Sequence, residues 1–423
     1  MQAQFNKNWK TKFFSIWIGQ AFSLLGSQVV QFTLIWFLTR ETGSAAVLAT
    51  SSFVSYLPNI FLAPFIGALI DRWDRKRIMI IADAMIALVT LGLILLFRSG
   101  LIKIWHIYAA MFLREIGSTF HWPSMRASTS LLVPGKHIAR VEGMNQLVRG
   151  LLNIVGPLFA TLLLELFAIQ QILAVDIITA AIAVAPLFFV FIPKPKIGES
   201  EDIQSTSKLI TDVKMGIRYL WNWRGLLIMA LTASLLNFVI VPAFTIAPLL
   251  VTQYFKGGVL ELSLIETLFG IGVIGGGLIM STWGGFKKRI LTTASAIMVM
   301  GFAIFLIAIA PSDNFNIALA GIFLTGIMNT MANASITTIM QTNVLPKMQG
   351  RVFTTLNSLT SAMMPISLLL TAPVSNMVGI RGWYYIGGIG CILLGIFCFL
   401  NKHVMTIEEE GKRRREELIS VDR

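Results

Sequence analysis

The chain has 423 residues, 55% of them hydrophobic and 13% charged, with a mean hydropathy of +0.75. A water-soluble domain could not keep a polar surface with that composition, so a soluble globular fold is excluded. The net charge of +13 would suit a polynucleotide, but Lys and Arg concentrate in the termini and in alternate connections between apolar runs. That is the positive-inside pattern of a polytopic membrane protein, and it places both termini in the cytoplasm, the surplus charge facing lipid heads and not nucleic acid.

Each crossing needs about 20 apolar residues as helix, and twelve such runs can be read: 13–38, 46–70, 78–97, 104–122, 143–165, 171–192, 225–251, 263–283, 290–310, 315–341, 353–376 and 383–400. The first follows Lys7, Lys10 and Lys12 but is longer than the roughly 7–15 apolar residues of a cleavable signal, so it is read as a retained span. Residues 193–224 form the longest internal connection. Its first part carries Pro193, Pro195, Glu199, Glu201 and Asp202. In its second part Leu209, Val213, Ile217 and Leu220 recur at helical spacing beside Lys208, Lys214 and Arg218, which predicts an amphipathic helix on the inner membrane face or a solvated loop helix. Cys391 and Cys398, seven apart in the last run, are read as apolar filler.

An offset of about half the chain superimposes landmarks of the two halves, as expected of a duplicated six-span unit. Arg77 falls on Arg289, which closes a degenerate copy GGFKKR (284–289) lacking the acidic residues of the first loop, and VPGKHIAR (133–140) matches LPKMQGR (345–351). The predicted organisation is an N-terminal six-helix bundle (1–192), a cytoplasmic linker with an amphipathic helix (193–224), a C-terminal bundle (225–400) and a charged cytoplasmic tail (401–423).

Ionisable groups inside spans are costly and are functional candidates by default; here they are Asp83, Arg114, Glu115, Glu142, Arg149, Asp176 and Glu266. Asp83 lies six residues past Arg77, about 9 Å into its helix, deep enough to suit a proton carrier; a structural salt bridge to Arg114 or Arg149 is the alternative. Arg114 and Glu115 are about 100° apart on one helix, so they cannot share one cavity. Asp176, near the outer end of its span, fits a snorkelling structural role at least as well as coupling. Gln146, Arg149, Asn153 and Gly156 form one polar face, and similar stripes run through Gln20, Ser23, Ser27 and Gln31, through Arg114, Ser118 and His121, and through Thr325, Asn329 and Asn333. Interhelical hydrogen bonding would explain such stripes without any substrate. No nucleophile triad, phosphate cradle, paired catalytic carboxylates or third metal ligand beside His121 and His137 can be read, so no enzyme, metal or organic cofactor is expected.

The stretch GALIDRWDRKR (67–77) resembles the loop signature of the major facilitator superfamily: Gly67, Leu69, Asp71, Arg72, Arg75, Lys76 and Arg77 fit its spacing. Asp74 stands where that signature usually has glycine, and is expected to take a tight, left-handed turn. The resemblance implies that Gly67, Asp71, Arg72, Arg75 and Arg77 latch the two halves on the cytoplasmic side; the basic residues alone could instead serve to fix topology. Arg114 with Gly117 resembles the second signature, associated with proton coupling. Gly156 and Pro157 resemble the core of the antiporter signature, although Leu152 and Ala160 replace its flanking glycines.

NKNWK, WIGQAFSLLGS, ETGSA, FLREIGSTFHWP, LLVP and GRVF extend the similarity to macrolide-efflux transporters of the drug:proton antiporter type, from which Glu115 departs. The fold implied is an all-α polytopic membrane protein, with twelve transmembrane helices in two pseudosymmetric six-helix bundles. The function implied is export of lipophilic drugs in exchange for protons from a bacterial cytoplasmic membrane, by a monomer that contacts membrane lipids and uses the proton gradient as its energy source. The coupling residues are then Asp83, Arg114, Glu115 and Arg149. The substrate cavity would take Gln20, Ser27, Gln31, Gln146, Asn153, Asn237, Asn329, Asn333 and Asn357, on spans that line the cavity in this superfamily. A lipid or lysolipid flippase, or another metabolite exporter, would share the fold.

Overall fold

A computed structural model describes residues 9–191 and 206–421; the first part of the linker, with Pro193 and Pro195, lies outside the described residues. The chain divides into two compact units between residues 201 and 202. The first contains α1 (Trp9–Thr42), α2 (Ala45–Arg72), α3 (Arg75–Arg98), α4 (Ile104–Leu132), α5 (Gly135–Leu166) and α6 (Ile169–Phe189). The second contains α7 (Thr206–Asn222), α8 (Arg224–Thr245), α9 (Ala247–Leu249) followed by a π turn (Leu250–Tyr254), α10 (Val259–Trp283), α11 (Arg289–Ile309), α12 (Phe315–Asn343), α13 (Pro346–Val378), α14 (Ile380–Leu400), α15 (Lys402–Met405) and α16 (Ile407–Val421).

Eleven of the described helices are long and apolar enough to cross a membrane. The twelfth predicted span is α4, 29 residues long, whose Arg114, Glu115, His121 and Arg126 dilute its hydropathy. Several helices run beyond the apolar runs, because the backbone ladder continues into the interface where the polar side chains stop resembling a span.

The duplication is visible in the packing. Within the first unit α1 packs on α5 and α6, α3 on α4 and α6, and α2 on α4; within the second, α8 packs on α13 and α14, α11 on α12 and α14, and α10 on α12. These are the same five pairings with each helix replaced by its counterpart half a chain later.

Small residues set the closest approaches, as expected where lipid supplies no hydrophobic drive between helices. A Cβ on Gly272 would fall 2.3 Å from the carbonyl oxygen of Phe323, and one on Gly276 2.5 Å from that of Ile327, so α10 and α12 meet backbone to backbone. In the first unit a Cβ on Gly26 would reach 2.1 Å from Thr179 Oγ1, which sets how closely α1 lies on α6.

The predicted amphipathic helix forms as α7. Its Leu220 is buried with Trp223, Leu226, Val352, Val404 and Ile407, while Met215, Ile217 and Trp221 remain exposed; the side chains of Lys208, Leu209 and Val213 lie outside the described residues. Beyond the last span the tail folds as α15 and α16 and contributes Val404 and Ile407, both 0% exposed, to that cluster.

Candidate functional site: two buried polar tiers in the first unit

The loop after α2 positions the site. Asp74 does not take the left-handed turn expected of it: its φ is −68° and its ψ is 106°, and its carboxylate accepts from the backbone N–H of Lys76 at 3.1 Å and of Arg77 at 3.3 Å. It is the N-cap of α3, the role for which a short acidic side chain suits a helix start, which explains why Asp can stand where the loop signature has glycine. Arg75 donates to the carbonyl of Ala127 on α4 at 2.8 Å. Lys76 donates to the carbonyls of Phe188 and Val190 at 3.2 and 3.1 Å, closing the C-terminus of α6. Arg77 is exposed beside Asp74. The loop therefore ties α3 to α4 and α6. Gly67 falls within α2, and the side chains of Asp71 and Arg72 lie outside the described residues.

Above that stitching lie two layers of buried polar side chains. In the layer nearer the loop, Asp83 of α3 is 3% exposed. It accepts from Gln20 Nε2 at 3.3 Å and Ser23 Oγ at 3.4 Å on α1, and its Oδ2 lies 3.5 Å from His121 Nε2 on α4. In the farther layer Asp176 of α6 is 1% exposed and forms an ion pair with Arg114 of α4. Asp176 also accepts from Thr90 of α3 at 2.8 Å and from Ser27 of α1 at 3.1 Å, and Arg114 donates to Thr90 as well.

The layers are built by one repeated step. Gln20 and Ser27, Asp83 and Thr90, and Arg114 and His121 are each seven residues apart, two helical turns or about 10.5 Å on one face. Gly26 and Gly117 let the helices close on these side chains; a Cβ on Gly117 would stand 2.8 Å from Ile86 Cγ1.

The two layers differ in how their charges are met. Asp176 has a fixed guanidinium and two hydroxyl donors, so its charge is fully compensated. Asp83 has two long hydrogen bonds and, as its ion-pair partner among the described residues, a histidine, whose charge depends on its own proton. The His121 Nε2 contact lacks hydrogen-bond geometry: that atom and Gln20 Oε1 are buried with no hydrogen-bond partner among the described residues. His121 and Gln20 border a crevice of about 20 Å³ that is also lined by Trp17, Asn145, Trp122 and Arg149. That is room for one water.

The sequence-read coupling set is thus divided. Arg114 pairs with Asp176 and not with Asp83, and Asp83 faces His121. Arg149 lies over the ring of Trp122, 3.4 Å from its centroid, and lines the same crevice. Glu115 turns away from Arg114 towards Asn59 and Tyr56 of α2. Asp176 is a fully buried partner and does not snorkel. His121, read only as part of a polar stripe, and Asp176, for which a structural role was weighed against coupling, are the partners of the two tiers; the seven-residue step from Arg114 carried the signal for His121 and none for Asp176.

Of the side chains read as cavity-lining, Gln20 and Ser27 donate to the two buried carboxylates. Gln31 is half-buried, Gln146 and Asn153 are exposed, and Gly156 and Pro157 are buried, with Gly156 against Gln28 of α1. In the second unit Asn237, Asn329, Asn333 and Asn357 come together around one cavity of about 220 Å³ between α8, α11, α12 and α13, whose apolar wall includes Met300 and Phe353. Asn237 donates to the carbonyl of Thr360 at 3.1 Å, and Asn333 to that of Asn329 at 2.9 Å. Glu266 is exposed on α10.

The sequence profile of the Major Facilitator Superfamily matches residues 16–368. The chain belongs to that superfamily. Within it, the chain is 34% identical over 392 residues to macrolide efflux protein A of Streptococcus pyogenes, covering 92% of this chain and 96% of the relative. The macrolide efflux protein A of Enterococcus faecalis is 33% identical over 327 residues, 77% of this chain and 100% of that one. The multidrug efflux pump Tap of Mycobacterium tuberculosis is 22% identical over 370 residues, 85% of each chain. Among solved structures, the nucleoside transporter NupG superimposes with a TM-score of 0.69 at 13% identity, over 92% of this chain and 98% of that one. A POT family transporter in complex with a thioalcohol-conjugated peptide gives 0.70 at 12%, over 93% and 96%. Together with the helix content, these make the protein a multi-pass membrane protein with the major facilitator fold.

Proposed function

We propose that this protein exports lipophilic drugs, macrolides among them, from a bacterial cytoplasmic membrane in exchange for protons. The names of its relatives support the drug side. The distribution of Lys and Arg supports an orientation with both termini in the cytoplasm.

The observation that carries the proton side is the buried Asp83–His121 contact beside a water-sized crevice. Asp83 has no fixed cation beside it among the described residues, and a carboxylate in contact with an imidazole is a pair of side chains between which a proton can pass. A proton entering by the crevice can rest on Asp83 or His121. The Arg114–Asp176 pair, two turns away, has its charge balance fixed and positions α3 and α4 through Thr90. Loss or gain of the proton then alters how α1, α3 and α4 are held at the nearer tier. One proton moved down 100 mV contributes about 2.3 kcal/mol, enough to bias alternating access.

Substrate recognition is assigned in part to the second unit's cavity. Its 220 Å³ is smaller than the roughly 300–1,000 Å³ of pockets that enclose drug-sized ligands, so it would receive one portion of the substrate. Methionine and phenylalanine give that wall adaptable apolar contacts, and four asparagines give it neutral hydrogen-bonding points.

The test is a panel of drug susceptibilities in an efflux-deficient host expressing the wild type and Asp83→Asn. Resistance to a subset of lipophilic compounds that disappears in the variant is the expected result. Equal susceptibility to every compound with and without the wild-type protein would remove drug export.

A further inference from the structure

The cytoplasm-proximal end of the second unit carries a basic pocket that neither the transport path nor the buried tiers use. It has a volume of about 370 Å³ and is lined by Trp221 and Asn222 at the end of α7, Arg224 at the start of α8, His403 of α15, and Glu410, Arg413 and Arg414 of α16. Three arginines and one glutamate therefore line it. That carboxylate is already engaged: Glu410 Oε1 lies 3.3 Å from His403 Nδ1 and accepts from Thr406 Oγ1 at 3.2 Å. The buried Nε of Arg414 has no hydrogen-bond partner among the described residues. Arg224 opens a helix of 22 residues whose N-cap, Trp223, supplies no side-chain acceptor, so the positive end of that helix adds to the field in the pocket.

The position of the pocket decides which anion it fits. Arg224 is the first residue of a membrane span, which sets the pocket at the depth where the hydrocarbon gives way to headgroups. Trp221 is 71% exposed beside it, and Ile217, one turn earlier, is 51% exposed; an amphipathic helix with an outward Trp is the expected anchor at that boundary. A basic pocket next to a span on the positive face of a membrane protein is suited to an anionic headgroup.

We infer that this pocket binds the phosphodiester headgroup of an anionic membrane phospholipid, with Arg224 and Arg414 as its principal donors, Arg413 adding charge, and Trp221 against the acyl chain. The bound lipid ties α7 and the folded tail to the base of α8.

The experiment is native mass spectrometry of the full-length protein in nonionic detergent, offered phosphatidylglycerol, phosphatidylcholine or inorganic phosphate. The wild type is expected to retain one phosphatidylglycerol about tenfold or more in preference to phosphatidylcholine, and inorganic phosphate at equal concentration is expected not to displace it. Arg224→Gln, at an exposed position, is expected to weaken retention about fivefold, and the pair R224Q with R414Q to abolish the preference. Glu410→Gln removes the competing carboxylate and is expected to strengthen retention, which separates loss of charge from damage to the fold. Equal retention of both lipids by the wild type, unchanged preference in the Arg224 variant, or displacement by inorganic phosphate would each overturn the lipid assignment, the last by showing a site for a free anion.

Discussion

Arg114 and Asp176 are 62 residues apart in the chain and neutralise each other in the interior of the first unit, with side chains 8% and 2% exposed. Neither charge could remain there alone. Removing one partner strands the other, at a cost of about 3–5 kcal/mol, whereas replacing both with apolar residues of similar volume is often neutral.

Asp176→Asn and Arg114→Ala should therefore each lower the yield of folded protein, and the double substitution Arg114→Met with Asp176→Leu should recover much of it. Fluorescence-detected size exclusion of the four proteins checks this. A double variant no better folded than either single one would contradict the pair's role as mutual compensation.

Asp83→Asn keeps a side chain that Gln20 and Ser23 can still hydrogen-bond, so it should fold normally and still bind drug. It should nevertheless lose export driven by a proton gradient. His121→Gln should flatten the dependence of export on that gradient without abolishing drug binding. Gradient-driven uptake into everted vesicles, set beside equilibrium binding of the same fluorescent drug, separates the two effects; normal gradient-driven transport by Asp83→Asn would contradict the assignment.

The two equivalent helix starts, α3 and α11, are capped by different means. Asp74 caps α3 from the loop itself, while the N–H of Ile290 at the start of α11 donates to Glu408 of α16 at 2.9 Å and Lys288 pairs with Glu409 at 3.0 Å. The acidic residues missing from the second loop are thus replaced by the tail. Asp74→Ala and Glu408→Ala should each cost about 0.5–2 kcal/mol. Truncation after residue 401 should cost more, because Val404 and Ile407 are each fully buried and contribute about 1.5–3 kcal/mol. Thermal unfolding in detergent reads all three, and a truncated chain as stable as the full one would show that the tail does not hold the second unit.

Gly272→Ala should be among the most damaging small substitutions, since its Cβ would meet a backbone carbonyl of Phe323 that cannot turn aside. At Gly26 the nearest obstacle is the Thr179 hydroxyl, a side chain that can rotate, and the Asp176 Cα stands farther off at 3.2 Å. Folded yield should consequently fall further for Gly272→Ala than for Gly26→Ala, and the reverse order would show that α1 and α6 tolerate less movement than α10 and α12.

What the sequence made legible follows from which signals are local. The spans and the half-chain duplication could be read because apolar runs and basic connections are patterns along the chain. Helix α4 was legible for its Arg114 and Glu115 and is for the same reason the helix whose composition least resembles a span. The partner of Arg114 was not legible: Asp176 lies near the end of its own apolar run and looked able to reach water, and only the packing of α6 on α1 and α3 buries it. Asp74 was misjudged because a glycine position in a turn suggests a left-handed backbone, whereas this Asp serves as a helix cap with an extended one. The tail read as charge, yet Val404 and Ile407 are the residues that dock it. Asn329 and Asn333 were read from one helical stripe and Asn237 and Asn357 from the spans they occupy, and the convergence of all four on one cavity became visible only when α8, α11, α12 and α13 were assembled.

The most direct measurement is drug uptake into everted membrane vesicles containing the protein, energised by a proton gradient and followed before and after a protonophore. Uptake that stops when the gradient is dissipated, and that never starts with Asp83→Asn, is the predicted result. Uptake that continues undiminished after the gradient is gone would contradict proton-driven export through the Asp83–His121 tier.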